Sequence, residues 1–597
     1  MAFGSFKNVF AAFTRRKAIE STFESPLRRC LVFWDLFLLG VGGSVDVALY
    51  IVLGNVARDL CGPSIVISMI IGFFLCFASG LCYAEFGSYV PTSGSDYDYV
   101  YSALGELCGF LDGWSILIGS VIATATLAQG AADLLRSLTD SATFNYLDAH
   151  ATLPDHALLA PNVNIVAAAL IILVTIITAM GVQSSVRIND GIVAINLLVI
   201  VFIFVTGLVY IDFDHWSGWD NFAPYGVNGI LKSLPFTIFF YAGFVSITFS
   251  TEEVINPQKI LPRSIMASLI GVFICFFCIG TVLTLIIPYN QLSTVSPLSD
   301  AFAMVAFKQS KYVIAFGGFC SCFSSVLTAC YANSRLTYVM ARDGLLVSFL
   351  HKVNQQSLVP IQAVLVTGFI ATILTAFVDL TILIEVCSIL ALIPYVTLAI
   401  TVILLRYKEH GANDVVNINC DDEAQPNSTE SHQIASATDN LMNGHPLLSQ
   451  MNILFGRKAK STIIIALVVL FLSSAGISLV IRFGISYKLE TPLFVALSII
   501  FTIPLLASMV VIYRTPHQIL KFPFTIPMFP MLPTVCFAAC TFVMFQFSMW
   551  AWILFVINTV FGLVIYLGYG IKNSKVNPLN ATRAADIELS QNPPLLT

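Results

Sequence analysis

Long apolar runs, each wide enough to cross a bilayer, recur along nearly the whole chain and restrict it to a polytopic helical membrane protein. A helical crossing of ~30 Å of hydrocarbon takes about 20 mostly apolar residues, and within lipid only helices or closed barrels satisfy their own backbone. Fourteen such runs begin near Leu31, Pro63, Tyr97, Val163, Gly191, Ile230, Ile265, Tyr312, Ile361, Leu380, Ser461, Leu493, Met528 and Trp550. The third, about Tyr97 to Leu135, and the eighth, about Tyr312 to Arg342, exceed one straight crossing, as tilt or a half-buried extension would allow. With 57% hydrophobic and 11% charged residues, the chain lacks the polar surface of a soluble fold.

Lys and Arg beside the spans set the orientation, because short cytoplasmic loops retain them. The N-terminal tail carries Lys7, Arg15, Arg16, Lys17, Arg28 and Arg29, and further basic residues fall at Lys259, Arg342, Arg406, Arg514 and Lys572. Loops at 138–162, 212–229 and 289–300 contain none. Both termini are therefore expected in the cytosol. The first apolar run starts after about thirty polar and basic residues and is full length, so it reads as a signal-anchor rather than a cleaved leader. Most cysteines lie in apolar segments, which implies no disulfide framework. The long polar stretch 407–460 is expected to be a disordered cytosolic loop. On this orientation the sequons at Asn427 and Asn580 are chance matches. The organisation follows as a tail (1–30), five spans (31–211), five more (229–406), the loop (407–460), four spans (461–570) and a tail (571–597).

The first span of each five-span group is the irregular one. The first reads Gly40-Val-Gly-Gly-Ser-Val-Asp-Val-Ala, placing Gly42, Gly43, Ser44 and the carboxylate Asp46 at bilayer depth. The sixth places Gly243 among Tyr241, Ser246, Thr248, Ser250 and Thr251. Glycine weakens a helix, and an ionisable residue within the membrane points to function. One such patch alone is ordinary helix packing; matched interruptions in two halves point to an inverted-repeat secondary transporter with a midplane site. Broken helices expose N–H groups at one half-helix end and carbonyls at the other, which suits an amino acid.

Arg28-Arg-Cys-Leu, Gly62-Pro-Ser-Ile-Val-Ile, Gly80-Leu-Cys-Tyr-Ala-Glu-Phe-Gly, Val90-Pro-Thr-Ser-Gly-Ser, Gly105-Glu-Leu, Gly113-Trp, Glu252-Glu-Val, Asn256-Pro-Gln-Lys and Asp343-Gly-Leu-Leu occur in an order and spacing that resembles the cationic amino acid transporters of the amino acid–polyamine–organocation superfamily. The likeness is close over about 28–407 and extends to the last four spans by count. It implies fourteen spans, a five-plus-five inverted-repeat (leucine-transporter-like) core and four C-terminal helices. It also implies sodium-independent uptake of arginine, lysine and ornithine at the plasma membrane, without an obligate glycoprotein heavy chain; an endosomal or lysosomal membrane stays open.

Departures from the family pattern cluster at the expected site. Its glycine-rich carboxylate pocket becomes Asp46-Val47-Ala48, its Gly-Phe-Asp becomes Gly243-Phe244-Val245, and Thr251 and Gln129 replace a usual Gly and Arg. Three readings of Asp46 follow. It can supply the negative charge that Val245 no longer does. It can repel a substrate carboxylate, since like charges ~4 Å apart cost about 4 kcal/mol at an effective dielectric of 20. It can also be protonated when buried and couple transport to protons. Accordingly the chain reads as a carrier of cationic amino acids by alternating access, with a non-transporting sensor or a polyamine carrier as alternatives.

Other positions carry bland readings beside functional ones. Ser120 and Thr124 on the third span and Ser324 and Ser325 on the eighth are candidates to line the pathway, or bond to their own preceding turns. Asn196 on the fifth is a candidate coupling site, or a helix-to-helix bond. Glu252 and Glu253 can form a gate with Lys259 or with Arg335, or simply end a helix. No phosphate loop, metal set or nucleophile cluster appears, so neither an enzyme nor a cofactor is expected. The expected partners are a small amino acid and the lipid bilayer, with no nucleic acid.

Overall fold

Every apolar run of the sequence becomes helix in the computed structural model, which describes residues 12–17, 29, 31–89, 92, 94–139, 152, 154, 158–180, 182–306, 309–354, 359–407, 446–486, 491–516 and 523–576. Arg28, Lys408, Lys521, Arg583, both sequons and the Cys420 stretch lie outside them. Among the described residues, ten helices are long and apolar enough to cross a membrane, and four shorter apolar helices accompany them. Side chains such as Phe74, Leu198 and Val564 stay exposed on outer faces, as lipid contact requires.

The first span is split. Helix α1 (Phe33–Gly42) ends at the glycine run, and the chain resumes as π-turn Ala48–Val52, a short helix Leu53–Val56 and π-turn Ala57–Cys61. Then follow α2 (Ile65–Tyr89), α3 (Asp96–Leu104), α4 (Glu106–Leu138), α5 (Ile165–Met180) and α6 (Val182–Leu208). The long third run is thus two helices, separated at Gly105 with φ 110°, a conformation that favours glycine. Past that turn α4 still has 33 residues, as has the unbroken helix of the eighth run, so both stay longer than one straight crossing needs.

The sixth span is split as well. Helix α7 (Gly226–Tyr241) passes through a tight turn at Ala242–Phe244 into α8 (Val245–Phe249) and a second turn at Thr251–Glu253. Onward run α9 (Pro257–Ile286), α10 (Pro297–Val305), α11 (Ser310–Arg342), α12 (Ile361–Phe377) and α13 (Leu380–Leu405). The remainder is α14 (Pro446–Ser486), which begins inside the 407–460 stretch, then α15 (Thr491–Arg514), α16 (Met531–Met544) and α17 (Met549–Ile565).

The equal-length α4 and α11 pack along each other at the centre, with α13 against α4 and α9 against α1 and α2. These contacts bring the two breaks together. A Cβ on Gly243 would fall 2.3 Å from the Gly43 carbonyl carbon, so only glycine lets the two backbones meet.

Candidate substrate site

Peptide groups freed by a helix break inside lipid must find partners, and in the first span each one named here does. The Gly42 carbonyl accepts the Ser325 hydroxyl at 2.8 Å, and the Val45 carbonyl accepts the Asn196 amide at 3.2 Å and the Ser321 hydroxyl. Asn196 also donates to Ser321 at 2.9 Å and accepts the Tyr50 hydroxyl at 2.5 Å. It therefore fastens the fifth span to the first-span break and to α11. Across the gap, the Gly243 N–H donates to the Ser44 hydroxyl at 3.1 Å.

Asp46 occupies the last residues of this break, and its carboxylate accepts the N–H of Ala48 at 3.0 Å, at the start of the resumed helix. The Ser325 hydroxyl lies beside it. The chain's own carboxylate thus caps the helix start that would otherwise present its N–H groups to a ligand anion.

A cavity of about 140 Å³ opens at this junction. The first span contributes Gly43 and Asp46, α4 Ser115 and Ser120, the sixth span Gly243, Val245 and Ser246, α11 Ser325 and Thr328, and α13 Ser388 and Tyr395. Asp46 is the only Asp, Glu, Lys or Arg in that wall among the described residues. Asp46 and Val245, the two positions where a carboxylate is gained and lost relative to the family pattern, line the same space.

Several candidates sit elsewhere. Gly42 faces α6, where a Cβ would come 2.5 Å from Val193. Tyr241 points away and bonds the Met69 carbonyl at 3.0 Å. Thr124 bonds the Ser120 carbonyl at 2.8 Å and accepts the Asn333 amide at 3.1 Å, and Ser324 bonds Asn189. Ser388 and Tyr395 were missed by sequence reasoning; the signal was Pro394 beside Tyr395, since an interior proline loosens a helix and frees a carbonyl.

At the end of the bundle predicted to face the cytosol, Arg335 and Glu253 pair at 2.7 Å with side chains about 10% exposed. The Tyr331 hydroxyl donates to the same carboxylate at 2.8 Å, and the guanidinium lies 4.2 Å from the Tyr331 ring. Leu31 N–H donates to the Glu253 carbonyl at 2.9 Å and Ile255 N–H to the Leu31 carbonyl at 3.0 Å, tying the start of the first span to the same point. Glu252 is buried beside Glu253. Nearby, Lys17 bridges Asp98 at 2.8 Å and Asp343 at 2.7 Å, fastening the N-terminal segment to α3 and the end of α11. Burial alone would lower the Lys17 pKa, but Asp98 and then Asp343 outweigh it and hold the ammonium above its ordinary value.

Among the described residues, a helical membrane bundle with two facing breaks around a small cavity walled by one carboxylate suits a permease. The amino acid permease family matches residues 31–415, and the C-terminal region of that family matches 524–574. Cationic amino acid transporter 4 of Mus musculus is 31% identical over 95% of this chain and 91% of its own length. The vacuolar cationic amino acid transporter 4 of Arabidopsis thaliana is 29% identical over 94% and 96%. The methylthioribose transporter of Bacillus subtilis is 33% identical over 66% of this chain and 86% of its own length. The chain belongs to the amino acid permease family, among the cationic amino acid transporters.

Proposed function

We propose that this protein carries cationic amino acids across a membrane as a secondary transporter, by alternating access around the Asp46 cavity. The observation that carries the reading is one buried carboxylate in an otherwise uncharged wall at the junction of the two broken helices. An intramembrane carboxylate is costly unless it meets a cation, and Asp46 stands across the same space from Val245. Negative charge is thereby kept in the site while moving from the sixth helix to the first. Relatives named as cationic amino acid transporters support the substrate class. In this reading the two five-span groups are inverted repeats, Glu252, Glu253 and Arg335 gate one end, and Asn196 holds the coupling position. The plasma membrane with both termini in the cytosol is the proposed setting.

A second reading rests on the Ala48 N–H. Because Asp46 already caps that helix start at 3.0 Å, a ligand carboxylate would compete with a tethered one. An amine without a carboxylate avoids that competition.

Radiolabelled arginine, lysine, leucine and spermidine uptake, in cells expressing the wild type, Asp46→Asn and Asp46→Gly, separates these. Wild-type arginine and lysine uptake that falls at least about tenfold in Asp46→Asn is the expected result, a tenfold loss being ~1.4 kcal/mol of interaction. Spermidine uptake without arginine selects the amine reading. No uptake by surface-resident protein, with binding retained, is the behaviour of a sensor and overturns both.

A further inference from the structure

Behind the Tyr395 wall of the cavity lies a second polar cluster to which the transport reading gives no role. Asp96 opens α3 and Asp112 lies in the second turn of α4, each no more than 1% exposed. Asp96 accepts the Tyr83 hydroxyl at 2.5 Å and Asp112 the Thr397 hydroxyl at 2.6 Å. The other carboxylate oxygen of each is buried without a hydrogen-bond partner among the described residues, and so are the hydroxyls of Thr92, Tyr99 and Tyr395.

Two anions with unpaired oxygens are expensive in such a place. Among the described residues neither has an ion pair with Lys or Arg; Lys17 is engaged by Asp98 and Asp343, and Arg406 by Glu85. The titratable groups facing the pair are Tyr83 from α2, Cys108 from α4, Tyr395 from α13, and Asp98 and Tyr99 on α3 itself. None of them brings positive charge. Two buried carboxylates that repel each other cannot both ionise cheaply, and a protonated carboxyl gains a donor for an orphaned oxygen. The Tyr83 hydroxyl, which donates to Asp96, favours its ionised form. The α3 N-terminus also favours the anion, so the proton can leave.

We propose that Asp96 and Asp112 form one proton-binding site that holds a single transferable proton, and that its loading is coupled to movement of the sixth span. Two contacts make the link. The Ser95 hydroxyl, one residue before Asp96, lies 2.5 Å from the Thr248 hydroxyl in α8, and Ser95 holds the unfavourable φ of 49°. The Tyr83 ring stands edge-on to Phe244 in the sixth-span break at 5.3 Å and to Tyr395 at 5.9 Å. A tilt of α8 therefore pulls on Ser95 and Tyr83 together and changes the separation of the two carboxylates. The proton is taken from water onto a carboxylate oxygen, turning two negative charges into one, and returns to water on release; no bond in the substrate changes.

Proton binding stands on these residues alone, whereas the coupling rests on the transport reading, so each half has its own measurement. Infrared spectra of the purified full-length protein, titrated with alkali, should show a protonated-carboxyl C=O band persisting above the ordinary carboxylate range and absent from Asp96→Asn/Asp112→Asn. Tyr83→Phe, which keeps both carboxylates and disturbs packing least, should raise the midpoint of that band by roughly one pH unit, because it removes a hydrogen bond to the charged form. A band unchanged in the double variant, or a midpoint unmoved in Tyr83→Phe, overturns the site. In proteoliposomes, an inward proton gradient should stimulate wild-type arginine uptake several-fold, and the double variant should retain arginine exchange without that stimulation. Uptake indifferent to the gradient, or driven by sodium instead, overturns the coupling. A shifting infrared band with no arginine uptake leaves the proton site standing and removes the transport reading.

Discussion

One absent methyl group decides how closely the two broken helices meet. A Cβ on Gly243 would stand 2.3 Å from the carbonyl carbon of Gly43, 2.4 Å from its oxygen and 2.4 Å from the Ser44 hydroxyl oxygen. Two of those atoms are backbone and cannot rotate away. Gly243→Ala is expected to cost about 1–3 kcal/mol through overpacking and to lower substrate uptake at least tenfold by separating Gly43 from Gly243. Gly191 is the control, since nothing among the described residues lies within 4 Å of its Cβ position; Gly191→Ala should keep uptake and gain up to about 1 kcal/mol of helix stability. Uptake and thermal unfolding of the two purified variants, side by side, check both. The glycines themselves were legible in the sequence as a place where helix fails. Which neighbour takes each freed peptide group was not, because Ser325, Asn196 and Ser321 lie more than a hundred residues along the chain and look like ordinary polar residues within spans.

At the scale of elements, the length of the apolar runs was enough to locate the spans, but not to see that the third run contains a turn. Tyr97 to Leu104 carries three tyrosines and one charged residue, Asp98, so it blends into the following span by composition; the conformation at Gly105 divides them. That division gives α3 a separate role as a brace, held by Lys17 through Asp98 and touching α8 through Ser95. The ion pair at the same end is a test of whether the elements around it open. Arg335 and Glu253 are each about 10% exposed, so their interaction is screened far less than a surface pair. A double-mutant cycle over Arg335→Ala and Glu253→Ala should return a coupling of about 1–3 kcal/mol in thermal unfolding. If α8 and α11 separate there during transport, Arg335→Ala should also raise substrate exchange relative to net uptake. A coupling under ~0.5 kcal/mol would mark the pair as a solvated helix end.

For the whole molecule, the question is what joins α1–α13 to α14–α17, since the family match falls in two separate stretches, 31–415 and 524–574. Apolar packing of α16 against α13 and α2 supplies area without direction. Direction comes from Glu85. Its carboxylate takes both contacts from Arg406 at 2.7 and 2.8 Å and also accepts the Ile526 N–H at 2.6 Å, while the guanidinium lies 4.0 Å from the Phe529 ring. One side chain of α2 thereby fixes the end of the first matched stretch and the beginning of the second. The two partners are 7% and 3% exposed, and removing one member of a buried pair leaves an uncompensated charge that costs about 3–5 kcal/mol. Glu85→Ala should therefore lower the unfolding midpoint sharply and expose the region around Ile526 to protease. Glu85→Gln, which retains a carbonyl acceptor for Ile526 or Arg406, should lose less. The pair Lys311–Asp300, with side chains 32% and 26% exposed, is the comparison; Lys311→Ala should cost no more than about 1 kcal/mol. Equal losses from Glu85→Ala and Lys311→Ala would mean that lipid and apolar packing alone hold the last four helices in place.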